Sequence, residues 1–451
     1  MTRTAEQVRD VIASVLPMVR ADLERLVRIP SVSSDESARP HLQASAEEVA
    51  RQLGDAGLTD VTITNADGGL PAVIGFRPGV LGAPTVLLYA HHDVQPVGDL
   101  GGWDSEPFEP LERDGRLYGR GAADDKAGIA VHCAAVRALG ADPGVSVVVL
   151  VDGEEEIGSP TLPSLLREHR ERLDADVLVL ADSTNWRVGV PALTTSLRGG
   201  VNVVVEVRTL RHALHNGVYG GPTPDALTTL ARLLATCHTD AGDVAVEGLV
   251  RGTADPLDLT DAQFREDAGV LDGVALLGSG SLTSRLWRAP ALSVVAIDAP
   301  AVDDAGLLLV PWARAKLTLR IAPGDDPVAA SEALVAHLHT HAPWGAEVTV
   351  SAGRPVSPYA AETTGPAYAA ARAAYTEAFG APVVEIGVGG SISFVAPFAA
   401  AFPDAEILVT GVEDPDTRAH GPNESLHLDD FSSACLAEAL FLERLGAVVS
   451  G

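Results

Sequence analysis

Cysteine is scarce in this chain of 451 residues: Cys133, Cys237 and Cys435 stand far apart, odd in number and without metal-ligand spacing. They offer neither a disulfide framework nor a zinc ribbon, and read as reduced core thiols of a cytoplasmic protein. Positive charge is short as well. The formal net charge of −29 speaks against nucleic acid and anionic membranes as partners, because phosphate binding needs a surplus of cations. No apolar run is long and charge-free enough to span a bilayer, and Met1-Thr2-Arg3-Thr4-Ala5-Glu6-Gln7 lacks a secretory hydrophobic core. There is no Gly-x-Ser-x-Gly elbow, no internal repeat and no low-complexity tract. Lysine occurs only at Lys126 and Lys316.

What is present exceeds one compact core, so two domains are expected. Apolar residues at helical intervals over Thr4 to Val27 predict a first helix, and His41 to Ala56 fits a second. Strands then alternate with helices: Val61–Thr64, Ala72–Phe76, Thr85–Ala90, a helix Lys126–Leu139, a strand Val145–Val151, a helix Leu162–Glu171 and a strand Val177–Leu180. From Val201 to Ser351 the order becomes β-α-β-β-α-β, the split ferredoxin-like arrangement. The α/β pattern then resumes with a helix Pro366–Phe379, strands Val383–Ile386 and Ala405–Thr410, and a last helix near Asp429–Leu445. The expected fold is thus an α/β domain with a central, mostly parallel sheet (1–198 and 354–451), interrupted by a smaller α+β domain (199–353). Asp240 to Arg288, without strong period, reads as an insertion in the smaller domain.

Acidic and imidazole groups recur where apolar runs end: His91-His92-Asp93, Asp124-Asp125-Lys126, Glu154-Glu155-Glu156, Asp182 and His420. In open α/β sheets the ligand crevice lies beyond the carboxyl ends of the strands, so these stations are expected on one rim, supplying ligands for two metal ions and a general base. Each has a plain alternative. His91 and Asp93 make a polar strand end, or a metal-bound imidazole with a carboxylate orienting it. The glutamate run is a solvated turn, or a cluster whose like charges a cation neutralises. Asp124-Asp125 caps a helix or binds metal, and a lysine beside it, in a chain that otherwise uses arginine, suggests a need for a compact ammonium. Taken as an ordered set, the stations favour metal.

Tyr89-Ala90-His91-His92-Asp93-Val94-Gln95-Pro96, Leu117 to Lys126, Gly153-Glu154-Glu155-Glu156-Ile157-Gly158-Ser159, Ala181-Asp182, Leu197-Arg198-Gly199, His215 to Gly221 and His420-Gly421-Pro422-Asn423-Glu424 run in one order over nearly the whole chain. That series resembles the dinuclear zinc metallopeptidase family of cytosolic dipeptidases, carnosinases, acetylornithine deacetylase, succinyl-diaminopimelate desuccinylase and glutamate carboxypeptidase. The resemblance implies two Zn²⁺ per subunit (Mn²⁺ or Co²⁺ fit similar donors): Asp124 bridges, His91 and Asp182 complete one ion, and Glu156 and His420 complete the other. It makes Glu155 the general base on a metal-activated water, with Asp93 behind His91, and implies a cis peptide at Asp124-Asp125. It gives the inserted domain lid and dimerisation roles in a homodimer, with His215 delivered across the interface to stabilise an oxyanion and Arg320 gripping a substrate carboxylate. Gly390 and Ser391, in Gly389-Gly390-Ser391-Ile392, would touch the same carboxylate. The substrate class implied is a small molecule, a dipeptide or an N-acyl amino acid; the Asp240 to Arg288 insertion and the His215 loop resemble the dipeptidase branch. A non-catalytic peptide-binding protein is the alternative of another class, disfavoured by the intact Glu155.

The chain departs from the pattern at His92, where an aromatic is common, at Ala127, where glycine is usual, and at Ser393, where proline often follows Ser-Ile. His337, His339 and His341, at a helix C-terminus without a nearby carboxylate, are expected to be surface residues rather than ligands.

Overall fold

The computed structural model describes residues 3–449. In chain order the principal elements are α1 (Ala5–Val27), α2 (Arg39–Asp55), β1 (Thr59–Thr64), β2 (Ala72–Arg77), β3 (Thr85–His91), α3 (Lys126–Ala138), β4 (Ser146–Asp152), β5 (Val177–Ala181), β6 (Ala192–Leu197), β7 (Gly199–Arg208), α4 (Ala226–Ala235), β8 (Ala291–Asp298), β9 (Trp312–Ile321), α5 (Pro327–Thr340), β10 (Glu347–Ala352), α6 (Pro366–Phe379), α7 (Val395–Ala401), β11 (Glu406–Thr410) and α8 (Leu428–Val449). They form two compact units: residues 1–195, 361–386 and 393–451, and residues 196–360 with 387–392.

In the first unit, seven strands of the large sheet run in the order β1-β2-β4-β3-β5-β11-β6. β4, β3, β5 and β11 are mutually parallel. Those strands are the Val- and Leu-rich runs, buried on both faces as parallel strands between helices must be. α3 is buried almost all round, and its small residues (Ala127, Gly128, Ala130, Ala134, Ala135) let it pack between α1 and α8. Gly128 is obligatory there, because a Cβ would stand 2.4 Å from Asp125 Oδ1 and 2.9 Å from the Ala181 Cβ. All three cysteines are free and buried.

Lys126, the lysine beside two aspartates in sequence, buries its ammonium. Its Nζ donates to the Leu26 and Ile29 carbonyls, each at 2.8 Å, where α1 ends. Helix ends leave carbonyls without intrahelical donors, and this ammonium supplies two of them. Burial pulls Lys126 down to about 7, partly opposed by Glu424 and Asp93.

The second unit folds β7-α4-β8-β9-α5-β10, with sheet order β8-β9-β7-β10 and every neighbour antiparallel. Alternation is regular on β9, where Ala313, Ala315, Leu317, Leu319 and Ile321 face the core and Arg314, Lys316 and Arg320 the other side. β8 is an edge strand, exposed from Ser293 through Asp298. Residues 239–288 carry two short helices, Asp261–Asp267 and Leu282–Trp287, in otherwise irregular chain. His337 is not the surface residue expected from sequence: it is buried, with Nε2 3.1 Å from Thr236 Oγ1 and its ring stacked on His341. Among the described residues no helix is long and apolar enough to cross a membrane.

A buried ion pair closes the C-terminal loop of the first unit onto the segment before α3. Glu424 accepts from Arg120 Nη1 at 2.6 Å and from the backbone N–H groups of Gly121, Ala123 and Asp124, with both side chains at 1% exposure or less. Removing one member of such a pair strands the other charge in the interior. Glu424→Ala is expected to lose about 3 to 5 kcal/mol in urea unfolding; a midpoint equal to the parent's would refute the structural role of the pair.

Candidate metal centre and active site

The parallel strand order brings four chain-distant loops to the same sheet edge. β3 ends in His91; β4 ends at Asp152, just before Glu154-Glu155-Glu156; β5 is followed by Asp182; β11 leads into the loop bearing His420. The last two loops lie so close that a Cβ on Gly411 would fall 1.6 Å from the Ser183 carbonyl oxygen. Asp182 N–H donates to Thr410 O and Asn185 N–H to Glu413 O.

Asp124 sits between two imidazoles. Its Oδ1 lies 3.2 Å from His91 Nε2 and its Oδ2 3.0 Å from His420 Nε2, which is also 3.1 Å from Glu156 Oε2. Two ligand groups result, His91-Asp124-Asp182 and Asp124-Glu156-His420, each with donor atoms within 4.8 Å of one another. The peptide bond Asp124-Asp125 is cis.

The local electrostatics fit a pair of divalent cations. Burial pushes Asp182 well above the ordinary carboxylate range, with Glu155 and Asp124 adding repulsion. Burial, reinforced by Asp93 and Glu156, moves Glu155 up to about 7 even though His91 and Ser393 oppose it. Hydrogen bonds to Asp124 and Glu156 raise His420 to about 10. Burial alone would lower His91, but Asp124 and Asp93 hold it well above the usual imidazole value. The chain by itself thus balances crowded carboxylates with protonated imidazoles, and a metal ion supplies that charge better while leaving the imidazole lone pairs free to bind it. His91 Nε2 carries the clearest mark: it is buried, and its approach to Asp124 lacks hydrogen-bond geometry.

Asp93 lies behind this set. Its backbone carbonyl lies 3.1 Å and a carboxylate oxygen 3.4 Å from His91 Nδ1, and its two carboxylate oxygens accept the backbone N–H groups of Glu155 and Glu156 at 3.2 and 3.0 Å. One residue thereby sets both the imidazole and the turn that carries the glutamates. The run Glu154-Glu155-Glu156 divides its work. Glu154 is a buried loop tie, accepting from Leu70 N–H and from the amide and hydroxyl of Thr161, so cation neutralisation is not needed for it. Glu156 is held by Gln95. Glu155 Oε1 accepts the Ser393 hydroxyl at 2.8 Å. His92 points elsewhere, its Nε2 2.8 Å from Pro71 O.

Two residues of this neighbourhood were not singled out from sequence. Glu413 has its carboxyl driven well above the usual range by burial and then by Asp124 and Glu424. Its only signal was its place just after the β11 run. Ser393 appeared as a departure from a motif, with no hint of its partner.

The second unit gathers the other candidates. Arg320 Nη1 reaches Ser391 Oγ at 3.4 Å, and among the described residues no carboxylate pairs with Arg320. Arg198 donates Nε to Gly389 O at 2.8 Å and Nη1 to Ala289 O at 3.2 Å, which fixes the glycine loop. Burial lowers Arg198 to about 10, and Arg320 adds repulsion. Gly390 has open space where a side chain would stand. His215 is exposed, and its Nδ1 accepts Gly217 N–H at 3.0 Å. That bond puts the neutral ring's proton on Nε2, leaving an outward donor.

Inductively coupled plasma mass spectrometry of the zinc-loaded, desalted protein is expected to give about two ions per chain, and Asp124→Ala to lose both, since both ligand groups use it. An Asp124→Ala protein that keeps a full complement would remove the bridging assignment.

The profile of peptidase family M20/M25/M40 matches residues 87–444. The chain is 36% identical over 425 residues to the cysteinylglycine-S-conjugate dipeptidase of Corynebacterium striatum, covering 92% of each. It is 28% identical over 461 residues to the beta-Ala-His dipeptidase of Rattus norvegicus, covering 97% of this chain and 91% of that one. The crystal structure of human carnosine dipeptidase 1 shares the fold, with TM-score 0.79 at 24% identity over 99% of this chain and 100% of that one.

Proposed function

The chain belongs to peptidase family M20/M25/M40, and from that premise we propose that it is a metal-dependent dipeptidase cleaving the peptide bond next to a free C-terminal carboxylate. The observation that carries the proposal is Asp124 shared between two ligand groups with the Glu155 carboxylate beside them. Relatives that bear dipeptidase names across more than nine-tenths of their length favour this substrate class over N-acyl amino acids.

His91 and Asp182 on one side, Glu156 and His420 on the other, and Asp124 between them would hold the two ions. Imidazole and carboxylate donors suit zinc, with manganese and cobalt as competitors for the same set. When bound, divalent cations supply Lewis acidity, polarising the scissile carbonyl and making water more acidic. The protein's own groups do the remaining work. Glu155 takes a proton from the attacking water through Oε2 and returns it to the leaving amine. Asp93 keeps His91 and the Glu155-Glu156 turn in place. Arg320, with the Ser391 hydroxyl beside it and no acidic partner, takes the substrate carboxylate, a task for which a planar guanidinium is suited. His215 Nε2–H serves as an oxyanion donor.

The reading includes a homodimer formed through the second unit. The exposed β8 edge, with Val294, Val295 and Ile297 uncovered, supports it, because an unpaired apolar edge strand is a template for association. Three buried free thiols agree with a cytoplasmic location.

Incubation with Cys-Gly and β-Ala-His is expected to release free amino acids from at least one of them, and the release should stop on chelation and return with zinc. Intact dipeptides after incubation with metal-replete protein would refute the activity. Glu155→Gln should keep its metal and lose about 10² to 10⁴ in kcat; near-parental turnover would take Glu155 out of the mechanism. Equal mixing of inactive His215→Ala and Arg320→Ala chains is expected to restore part of the activity if one site draws on two chains, whereas verified heterodimers without rescue would place both residues in a single-chain site.

A further inference from the structure

The hydroxyl of Ser393 donates to Glu155 Oε1 at 2.8 Å, and among the described residues no hydrogen bond reaches Glu155 Oε2. From this geometry, and resting on the assignment of Glu155 as general base, we propose that Ser393 is a positioning residue that tethers one oxygen of the Glu155 carboxylate so that the other faces the reacting water.

A glutamate at the start of a short turn has three side-chain torsions to fix. The backbone side is held, because Glu155 N–H donates to Asp93; nothing else in the described chain holds the carboxylate end. Ser393 is well placed to do so because its own position is set by packing. Its neighbour Phe394 is fully buried, with its ring centroid 4.3 Å from that of Tyr89 on β3, two residues before His91. Phe398, one turn into α7, lies 5.1 Å from the same tyrosine. The hydroxyl is therefore presented from a packed aromatic cluster that shares a strand with the metal-ligand candidate His91. A site held by side chains with locked rotamers keeps its reactive atom within the narrow range that proton transfer needs.

The position matters because it is where this chain departs from the motif it resembles. Gly389-Gly390-Ser391-Ile392 is followed by serine where proline is frequent, and proline has no hydroxyl to donate. The proton inventory is simple: the water proton passes to Glu155 Oε2 and then to the amine nitrogen, while Ser393 keeps its own proton and Oε1 stays an acceptor throughout. Ser393 forms no bond to substrate.

The test compares Ser393→Ala, Ser393→Thr and Glu155→Gln, each zinc-loaded and assayed with whichever of Cys-Gly and β-Ala-His the parent cleaves, alongside crystal structures. Ser393→Ala is expected to lower kcat about tenfold, with KM, metal content and Tm at parental values, and its crystal structure to show the Glu155 carboxylate spread over more than one rotamer. Ser393→Thr, which keeps the hydroxyl, should recover most of kcat. Parental kcat in Ser393→Ala, or a single unchanged Glu155 rotamer, would overturn the tether. A loss in Ser393→Ala as complete as in Glu155→Gln would also overturn it, by making Ser393 the nucleophile and Glu155 its base. Failure of the underlying assignment is separately visible, as near-parental activity in Glu155→Gln.

Discussion

Crowded carboxylates around Asp124 are the constraint on which the rest of the first unit depends. Asp93, Asp124, Glu155, Glu156 and Asp182 converge where water is largely excluded, and like charges in such a place raise one another's proton affinity unless cations intervene. Asp124 stays below the ordinary range because the His420 and His91 imidazoles outweigh its burial, and Asp93 does so chiefly through His91. Its neighbours Asp182 and Glu155 are displaced upward. A sequence that only had to fold would not assemble this set, since each carboxylate buried without a cation costs stability. The arrangement is intelligible as a receptor for divalent charge, and the surrounding ties keep the repelling groups from relaxing away.

Those ties share one pattern: a buried side chain holding backbone. Glu424 gathers the amides before Asp124, Asp93 those of Glu155 and Glu156, Glu154 that of Leu70, and Lys126 the carbonyls where α1 ends. Backbone groups in loops at strand ends have no ladder partners, so a buried loop must be satisfied by side chains. Here each satisfying group is an ionisable side chain. The polar network that feeds the loops is therefore also the network that sets the positions of the ligand side chains, and loss of one tie is expected to disturb both stability and metal affinity.

The legible part of the sequence was whatever sat on strong local periodicity or at its ends. Val86 to Ala90, Val147 to Val151 and Val177 to Leu180 could only be buried strands, and once they are parallel their final residues must share a rim; His91, Asp124, Glu156, Asp182 and His420 meet there. The β-α-β-β-α-β order likewise appears as an antiparallel sheet, because alternation on β9 leaves one face for α4 and α5. What stayed hidden depends on contacts between distant residues. Lys126 stands beside two aspartates in sequence but reaches carbonyls 100 and 97 positions away. Ser393 and Glu155 are separated by 238 residues. His337 is buried by its contact with Thr236, which helical spacing alone does not reveal. Short strands such as β6 were missed because six residues of mixed Ala, Leu, Thr and Ser carry no decisive period.

The second unit poses the opposite electrostatic problem from the first. Arg198 donates to the Gly389 and Ala289 carbonyls and Arg320 approaches Ser391, with no carboxylate paired to either among the described residues. The repulsion between the two guanidiniums adds to the cost of leaving that charge unbalanced. The pair therefore asks for an anion from outside the protein, just as the Asp124 cluster asks for cations. A planar guanidinium beside a hydroxyl matches a carboxylate better than a spherical ion, because two parallel N–H donors meet two oxygens. A dipeptide carries one such terminal carboxylate, the anion that the proposed role of Arg320 calls for. With Arg320 in its proposed role, an ester or amide lacking that carboxylate would leave the guanidinium unpaired, a penalty of the kind that gives polar sites their sharpest discrimination.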